Sequence, residues 1–206
     1  MIFKPIQLIV FDLYGTLIKF GTTHHPYRKI LKWAHENGRK PLDTDARILM
    51  TMNEDPETIF RSMGIVAPDE MLQIFQKEID EELNSLTLFD DVIPTLEQLA
   101  EAEIDLAICS NLAKPYGVII DKLLPDFSFT RILSYEVGYL KPDDGIYDAI
   151  LNRTGHPKES VLFIGDTFIA DYEGPIKYGF HARHLCRTQT WHGQGIQSLK
   201  DILKLL

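Results

Sequence analysis

Four separated stretches hold side chains that could carry a reaction. The first is FDLYGTL, where Asp12 follows an apolar run and Tyr14 and Thr16 come after it. The second, DLAICSN, ends in Ser110 and Asn111. Lys141 stands in GYLKPDDGIY, and Asp166 and Asp171 stand in IGDTFIADYEGPIKYGF. A carboxylate at the end of a strand can attack phosphorus or carbon and form a covalent intermediate. A serine hydroxyl can donate to an anionic oxygen, and an ammonium can hold both a nucleophile and a developing anion. Taken singly, each residue has a plainer role. Asp12 and Asp171 could cap helices or turns, Ser110 could be a loop serine, and Lys141 could be solvated. Their joint order along one chain gives them weight.

The elements that must position these residues alternate along the chain. Short apolar runs bounded by turn residues predict strands at 7–11, 105–109, 131–135, 161–165 and 181–186. They lack strict polar alternation, as strands covered on both faces do. Helical periodicity predicts helices over 91–103 and 143–155, the second stopping at Gly155, and a closing helix over 195–206. Strands alternating with helices predict an α/β fold, a Rossmann-like parallel sheet with helices on both faces. Between Lys19 and Leu88 no strand pattern occurs. HPYRKILKWAHENG, DPETIFRSMG and APDEMLQIFQKEIDEELNSL predict an inserted block of three or four helices, the longest with Pro68 in its first turn. The expected organisation is a core over 1–18 and 89–206 and a small helical cap over 19–88. Ligands of parallel sheets bind beyond the carboxyl ends of the strands. Asp12, Ser110, Asp166 and the loop before Lys141 all lie at that edge. The insertion leaves from it too, as a lid hinged at Ile18–Thr22 and Leu86–Asp90 would.

The 206 residues suffice for one buried core with a small accessory unit. A formal net charge of −9 disfavours nucleic acid and anionic membrane as partners. Cys109 and Cys186 each sit in a strand-like stretch and read as buried free thiols of a reducing compartment. The amino-terminal run before Asp12 lacks the features of a signal peptide, and no apolar stretch has the ~20 residues of a span. The expectation is a cytoplasmic protein, monomeric or homodimeric, acting on a small molecule. His24 and His25 are adjacent and would point to different sides of a helix, so they make a poor metal pair. Trp33, Tyr27, Phe60 and Phe75 read as core of the inserted helices. Arg28, Arg39 and Arg47 read as surface, though one of them could reach into the site.

Together the four stretches resemble the four motifs of the haloacid dehalogenase superfamily, and the insertion point resembles that of its C1-capped members. The resemblance implies that Asp12 is the nucleophile, with Thr16, Ser110, Asn111 and Lys141 assisting. It implies a Mg²⁺ ion held by Asp12, the Tyr14 carbonyl and Asp166, with Asp171 in support. Three gathered carboxylates need such a cation, and hard oxygen ligands suit Mg²⁺. Tyr14 departs from the phosphatase pattern, in which an acid two residues after the nucleophile protonates the leaving group. With an ordinary pKa of about 10, a tyrosine is a poor substitute base. DLYGT instead resembles the first motif of L-2-haloacid dehalogenases, whose halide needs no proton. The acid pair Asp166 and Asp171 resembles the Mg²⁺-dependent phosphatases. The expected activity is therefore hydrolysis of a small phosphorylated metabolite through an aspartyl-phosphate. The alternatives are a metal-independent dehalogenase acting on a halogenated acid, and a catalytically weakened fold that only binds.

Overall fold

A computed structural model describes residues 5–188 and 195–205. The strands are β1 (Leu8–Phe11), β2 (Ile18–Lys19), β3 (Thr87–Leu88), β4 (Asp105–Ser110), β5 (Thr130–Leu133), β6 (Val161–Gly165), β7 (His181–Leu185) and β8 (Gly195–Ile196). The helices are α1 (Pro26–Glu36), α2 (Asp45–Thr51), α3 (Pro56–Ser62), α4 (Asp69–Ser85), α5 (Val92–Glu101), α6 (Ile119–Leu123), α7 (Ser134–Val137), α8 (Asp144–Thr154) and α9 (Gly174–Tyr178). Six strands form a parallel sheet in the order β5-β4-β1-β6-β7-β8, an α/β, Rossmann-like arrangement. The chain runs outward from β1 to one edge and then returns to fill the other side. β1 is therefore the switch point of the sheet, where parallel folds open a crevice.

All four side chains of β1 are fully buried because the strand is covered on both faces. Ile9 and Phe11 pack with Leu96 and Leu99 of α5 and Ile120 of α6. Leu8 and Val10 pack with Ile146, Tyr147 and Ile150 of α8 on the opposite face. Register then fixes the site: Phe11 lies beside Ile108 of β4 and Ile164 of β6. Strands spaced about 4.8 Å apart thus bring Asp12, one residue past Phe11, beside Ser110 and Asp166, two residues past Ile108 and Ile164, at one edge.

Between β2 and β3, which pair antiparallel as a short stem, run α1 to α4. Their apolar faces share a separate cluster containing Ile30, Leu49, Phe60, Phe75 and Ile79. Pro26 opens α1, and Asp55 caps α3 by accepting from the Thr58 amide at 2.9 Å. Pro68 occupies the cap position of α4, one residue before its first turn. Among the described residues no helix is long and apolar enough to cross a membrane.

Two expectations need correction. Residues 195–206 do not form one helix. Gly195–Ile196 adds the short edge strand β8, and only Leu199–Lys204 coil, as a tight 3-10 turn capped by Ser198; Leu206 lies outside the described residues. Cys109 is fully buried, but Cys186 follows β7 and is half-buried, its Sγ 3.0 Å from His184 Nδ1.

This carboxyl-terminal segment is tied down by Asp91, the cap residue of α5. Its carboxylate accepts two bonds from Arg187, at 2.9 and 3.0 Å, one from the Ser198 hydroxyl at 2.7 Å and one from the Leu199 amide at 2.9 Å. Burial alone would raise its pKa, but Arg187, Ser198 and Leu199 outweigh burial and hold it below the usual carboxylate range. A depressed carboxylate contributes stability above its unfolded pKa and loses it as pH falls through the folded value. Asp91→Ala should accordingly cost on the order of 2 kcal/mol near neutrality. Urea unfolding of both proteins should show the gap closing below about pH 4, whereas an unchanged gap there would contradict this account.

Candidate active site

Asp12 leaves β1 with its amide donating to the Ile164 carbonyl at 2.8 Å, so its backbone is fixed by the neighbouring strand. Its carboxylate is nearly buried and surrounded by donors. Lys141 Nζ donates to Oδ1 at 2.7 Å, Ser110 Oγ donates to Oδ1 at 3.1 Å, and Thr16 Oγ1 lies 3.4 Å from Oδ2. Lys141 Nζ also donates to Asp171 Oδ1 at 2.6 Å. The other Asp171 oxygen accepts from the Thr167 amide at 2.9 Å, inside a π-helical turn over Phe168–Glu173. Such turns reposition one residue within a helix and recur at functional sites.

Asn111 does not touch Asp12. Its amide clamps the Lys141 backbone, donating to the carbonyl at 2.9 Å and accepting from the amide at 2.7 Å. It therefore aims Lys141 across the gap between β4 and β1. Tyr14 also turns away. Its ring stacks on Phe20 with centroids 5.1 Å apart, and its hydroxyl donates to the Tyr116 carbonyl at 3.1 Å. Burial, reinforced by the charge of Glu82, raises the Tyr14 pKa far above its ordinary value. The phenol is thus a weak acid already committed to another acceptor.

Asp12, Asp166 and Asp171 each offer a carboxylate oxygen, and these atoms lie within 4.8 Å of one another. Asp166 is the exposed member. Exposed by surface area yet partly desolvated by the crowd around it, its carboxyl has its pKa raised, first by that desolvation and then by the charge of Asp12. Burial also raises Asp171, and Asp12 adds to this, against the pull of Lys141. Three carboxylates facing one ammonium leave two negative charges uncompensated when all are ionised. The donor set is entirely hard oxygen, which fits a divalent cation such as Mg²⁺. Both oxygens of Asp12 and of Asp171 already accept hydrogen bonds, whereas Asp166 has only the Thr167 hydroxyl 3.4 Å from Oδ1, which leaves Asp166 the freest of the three. Two glycines make room for this crowding. A methyl group at Gly15 would stand 2.2 Å from Asp166 Oδ2, and one at Gly165 would stand 2.3 Å from Asp171 Cγ.

A cavity of about 650 Å³ lies between the inserted helices and the core, walled on the core side by residues that follow Asp12 and Ser110 in the chain and not by the carboxylates themselves. Tyr14, Asn111, Leu112 and Tyr116 line it from the core, and Tyr27, Leu31, Leu49, Met50 and Glu82 from the helices. Glu82 is buried, accepts from the His24 and His25 amides at 2.6 and 2.9 Å, and accepts from the Tyr116 hydroxyl. Ser134 Oγ donates to the Met50 carbonyl at 2.6 Å, a second tie between the two layers. His25 precedes α1 in a left-handed conformation, and neither adjacent histidine lies within a helix. Of the three arginines, Arg28 lines the cavity, Arg39 binds Asp45 within the insertion, and Arg47 pairs with Asp143. Glu82 and Tyr116 escaped sequence reasoning. The available signal was a glutamate in register with Phe75 and Ile79 on the buried face of α4.

A parallel sheet with a strand-end aspartate, a serine and a lysine converging at its switch point defines an α/β protein of the hydrolase kind. The chain belongs to the haloacid dehalogenase-like hydrolases, whose family model matches residues 9–182. It is 28% identical over 155 residues to the glyceraldehyde 3-phosphate phosphatase of Methanopyrus kandleri, covering 74% of this chain but only 62% of that relative. It is 26% identical over 193 residues to an (S)-2-haloacid dehalogenase of Pseudomonas putida, covering 86% and 83% of the two chains. The crystal structure of a HAD phosphatase from Thermococcus onnurineus superposes with a TM-score of 0.66 at 20% identity over 97% of each chain, which speaks for the fold.

Proposed function

We propose that the protein is a Mg²⁺-dependent phosphohydrolase acting on a small phosphorylated metabolite through an aspartyl-phosphate at Asp12, with α1 to α4 as a cap over the site. The observation that carries this reading is the cluster of three carboxylates within 4.8 Å against a single ammonium. When bound, Mg²⁺ would be held by Asp12, Asp166 and the Tyr14 carbonyl, with Asp171 in support, and would screen the repulsion between Asp12 and a phosphate dianion. An Asp12 oxygen attacks phosphorus, and the bond from phosphorus to the leaving oxygen breaks. Ser110 and Lys141 donate to the phosphoryl oxygens as charge builds there. Thr16 steadies the Asp12 carboxylate and Asn111 holds Lys141 in place. Water then attacks phosphorus, breaks its bond to Asp12 and releases phosphate. The acidic sequence and free thiols favour a cytoplasmic protein with neither nucleic acid nor membrane as partner.

The Tyr14 hydroxyl is no proton source, so leaving groups that depart as stable anions, such as aryl or acyl phosphates, should react best. Tyr14→Phe should then change kcat by less than about threefold, since ring and carbonyl remain. Tyr14→Asp should raise turnover of alkyl phosphates by up to ~10²-fold by supplying an acid. Steady-state assays on aryl and alkyl esters check both, and a large loss in Tyr14→Phe would assign the phenol a direct role.

Tyr14 also favours a second reading, metal-independent dehalogenation, in which Asp12 displaces halide from carbon and no proton is needed. Phosphate release and halide release measured side by side, each with Mg²⁺ and with chelator, separate the two. Chelator-sensitive phosphate release is expected. Halide release from 2-chloropropionate that chelator leaves intact would replace the first reading with the second.

A further inference from the structure

We infer that the non-reacting part of the substrate is an apolar, ring-bearing group seated in the cavity between the inserted helices and the core. This rests on the phosphohydrolase reading, since it assigns the leaving group of that reaction. Asp12, Ser110 and Lys141 do not line the cavity, but its core wall is made of near neighbours of Asp12 and Ser110 in the chain. Tyr14 follows Asp12 by two positions, and Asn111 directly follows Ser110, which bonds Asp12. Its volume of about 650 Å³ falls within the range of small-molecule pockets, roughly 300–1,000 Å³.

The wall is built to reject a polyhydroxylated group. Its interior side-chain polar atoms are spent within the protein. The Tyr14 hydroxyl donates to the Tyr116 carbonyl, the Tyr116 hydroxyl donates to Glu82, and the Asn111 amide faces the Lys141 backbone. Both Glu82 oxygens are occupied by the linker amides and Tyr116. Thr23, His25 and Arg28 lie on the exposed rim. What remains is carbon surface: the stacked rings of Tyr14 and Phe20, the ring of Tyr27, and Leu31, Leu49 and Met50. Aromatic walls of this kind receive another ring edge-on or offset. One polar atom stands out. The Tyr27 hydroxyl is shielded from water and has no hydrogen-bond partner, while its ring is wedged edge-on against Phe75 and Phe60. A group that even water does not reach offers a ligand no donor, so this hydroxyl adds nothing polar to the cavity wall. A sugar or triol would bring several groups that find no partner.

Non-hydrolysable phosphonates isolate this assignment from the acidity of the leaving group. Calorimetric titrations with methyl-, butyl- and 2-phenylethylphosphonate, with Mg²⁺ present, should show affinity rising about fourfold per added buried methylene, the phenyl compound binding best. Met50→Glu should abolish that gradient. Phe20→Ala, at an exposed position, should weaken phenylethylphosphonate more than methylphosphonate even if Met50→Glu fails to fold. Equal affinities across the series, or tighter binding of a dihydroxypropyl phosphonate, would overturn the inference. Phosphate release from the matching esters is measured separately. Release with flat phosphonate affinities sinks the cavity assignment alone. Graded affinities without release sink the hydrolytic reading and leave the cavity assignment standing.

Discussion

Asp12→Asn should reduce single-turnover phosphate release by on the order of 10⁴-fold or more, with the fold intact. The amide keeps the shape of the side chain, and its oxygen can still accept from Ser110 and Lys141, which bond Oδ1 at 3.1 and 2.7 Å. What disappears is the negative charge that attacks phosphorus. Stability should not fall without Mg²⁺, because removing one of three clustered carboxylates relieves repulsion around a single ammonium. Urea unfolding and single-turnover kinetics on the same preparations check both halves. A variant that retains turnover within about tenfold would remove Asp12 from the chemistry.

Lys141→Met should be nearly as severe, and in two ways. Its Nζ bridges Asp12 and Asp171, and all three groups are nearly or fully buried. Burial alone would lower the lysine pKa, but the two carboxylates outweigh it and hold the ammonium charged. Losing the cation removes stabilisation of the developing phosphoryl charge, worth on the order of 10²–10³ in kcat. It also strands two buried carboxylates, at a cost of about 3–5 kcal/mol. That cost has a signature in pH. Asp171 is already raised by burial and by Asp12, and without Lys141 its neutral form is favoured further. A raised carboxyl takes up its proton in the folded state first, so the variant should regain stability as pH falls from neutrality toward the ordinary carboxylate range. Added Mg²⁺ should stabilise the variant more than the parent, by supplying positive charge to the same carboxylates. Thermal unfolding with and without Mg²⁺ at two pH values decides it. A stability loss insensitive to both would mean that Lys141 acts through packing alone, for example against the Phe163 ring 5.4 Å away.

The reacting edge was legible because apolar runs end abruptly in polar residues. LIVF before Asp12, LAIC before Ser110 and LFIG before Asp166 are strands covered on both faces, and their register brings the residues after them within one position of one another at the same edge. The inserted helices were legible through period and caps, except α2, which has seven residues like α3 but lacks the capping aspartate and opening proline that mark α3 at Asp55 and Pro56. What stayed hidden depends on long-range partners. Asn111 follows Ser110 in sequence, yet its work is to clamp a backbone thirty residues away. Asp91 and Arg187 are ordinary surface residues until the carboxyl-terminal turn folds over them. That same turn ended the expected helix over 195–206, because Gly195–Ile196 gains more by pairing with β7 than by coiling. Tyr14 was visible as an oddity from the start. That its ring forms cavity wall and its hydroxyl points at Tyr116 depended on packing.

The covalent step is tested most directly by acid-quenching the enzyme during turnover of an aryl phosphate with Mg²⁺ and mapping its peptides by mass spectrometry. With Tyr14 unable to activate water, breakdown of the intermediate is the slow step, so a phosphoryl group should accumulate on the peptide containing Asp12 and vanish in Asp12→Asn. Steady release of phosphate with that peptide unmodified at every quench time would contradict the account.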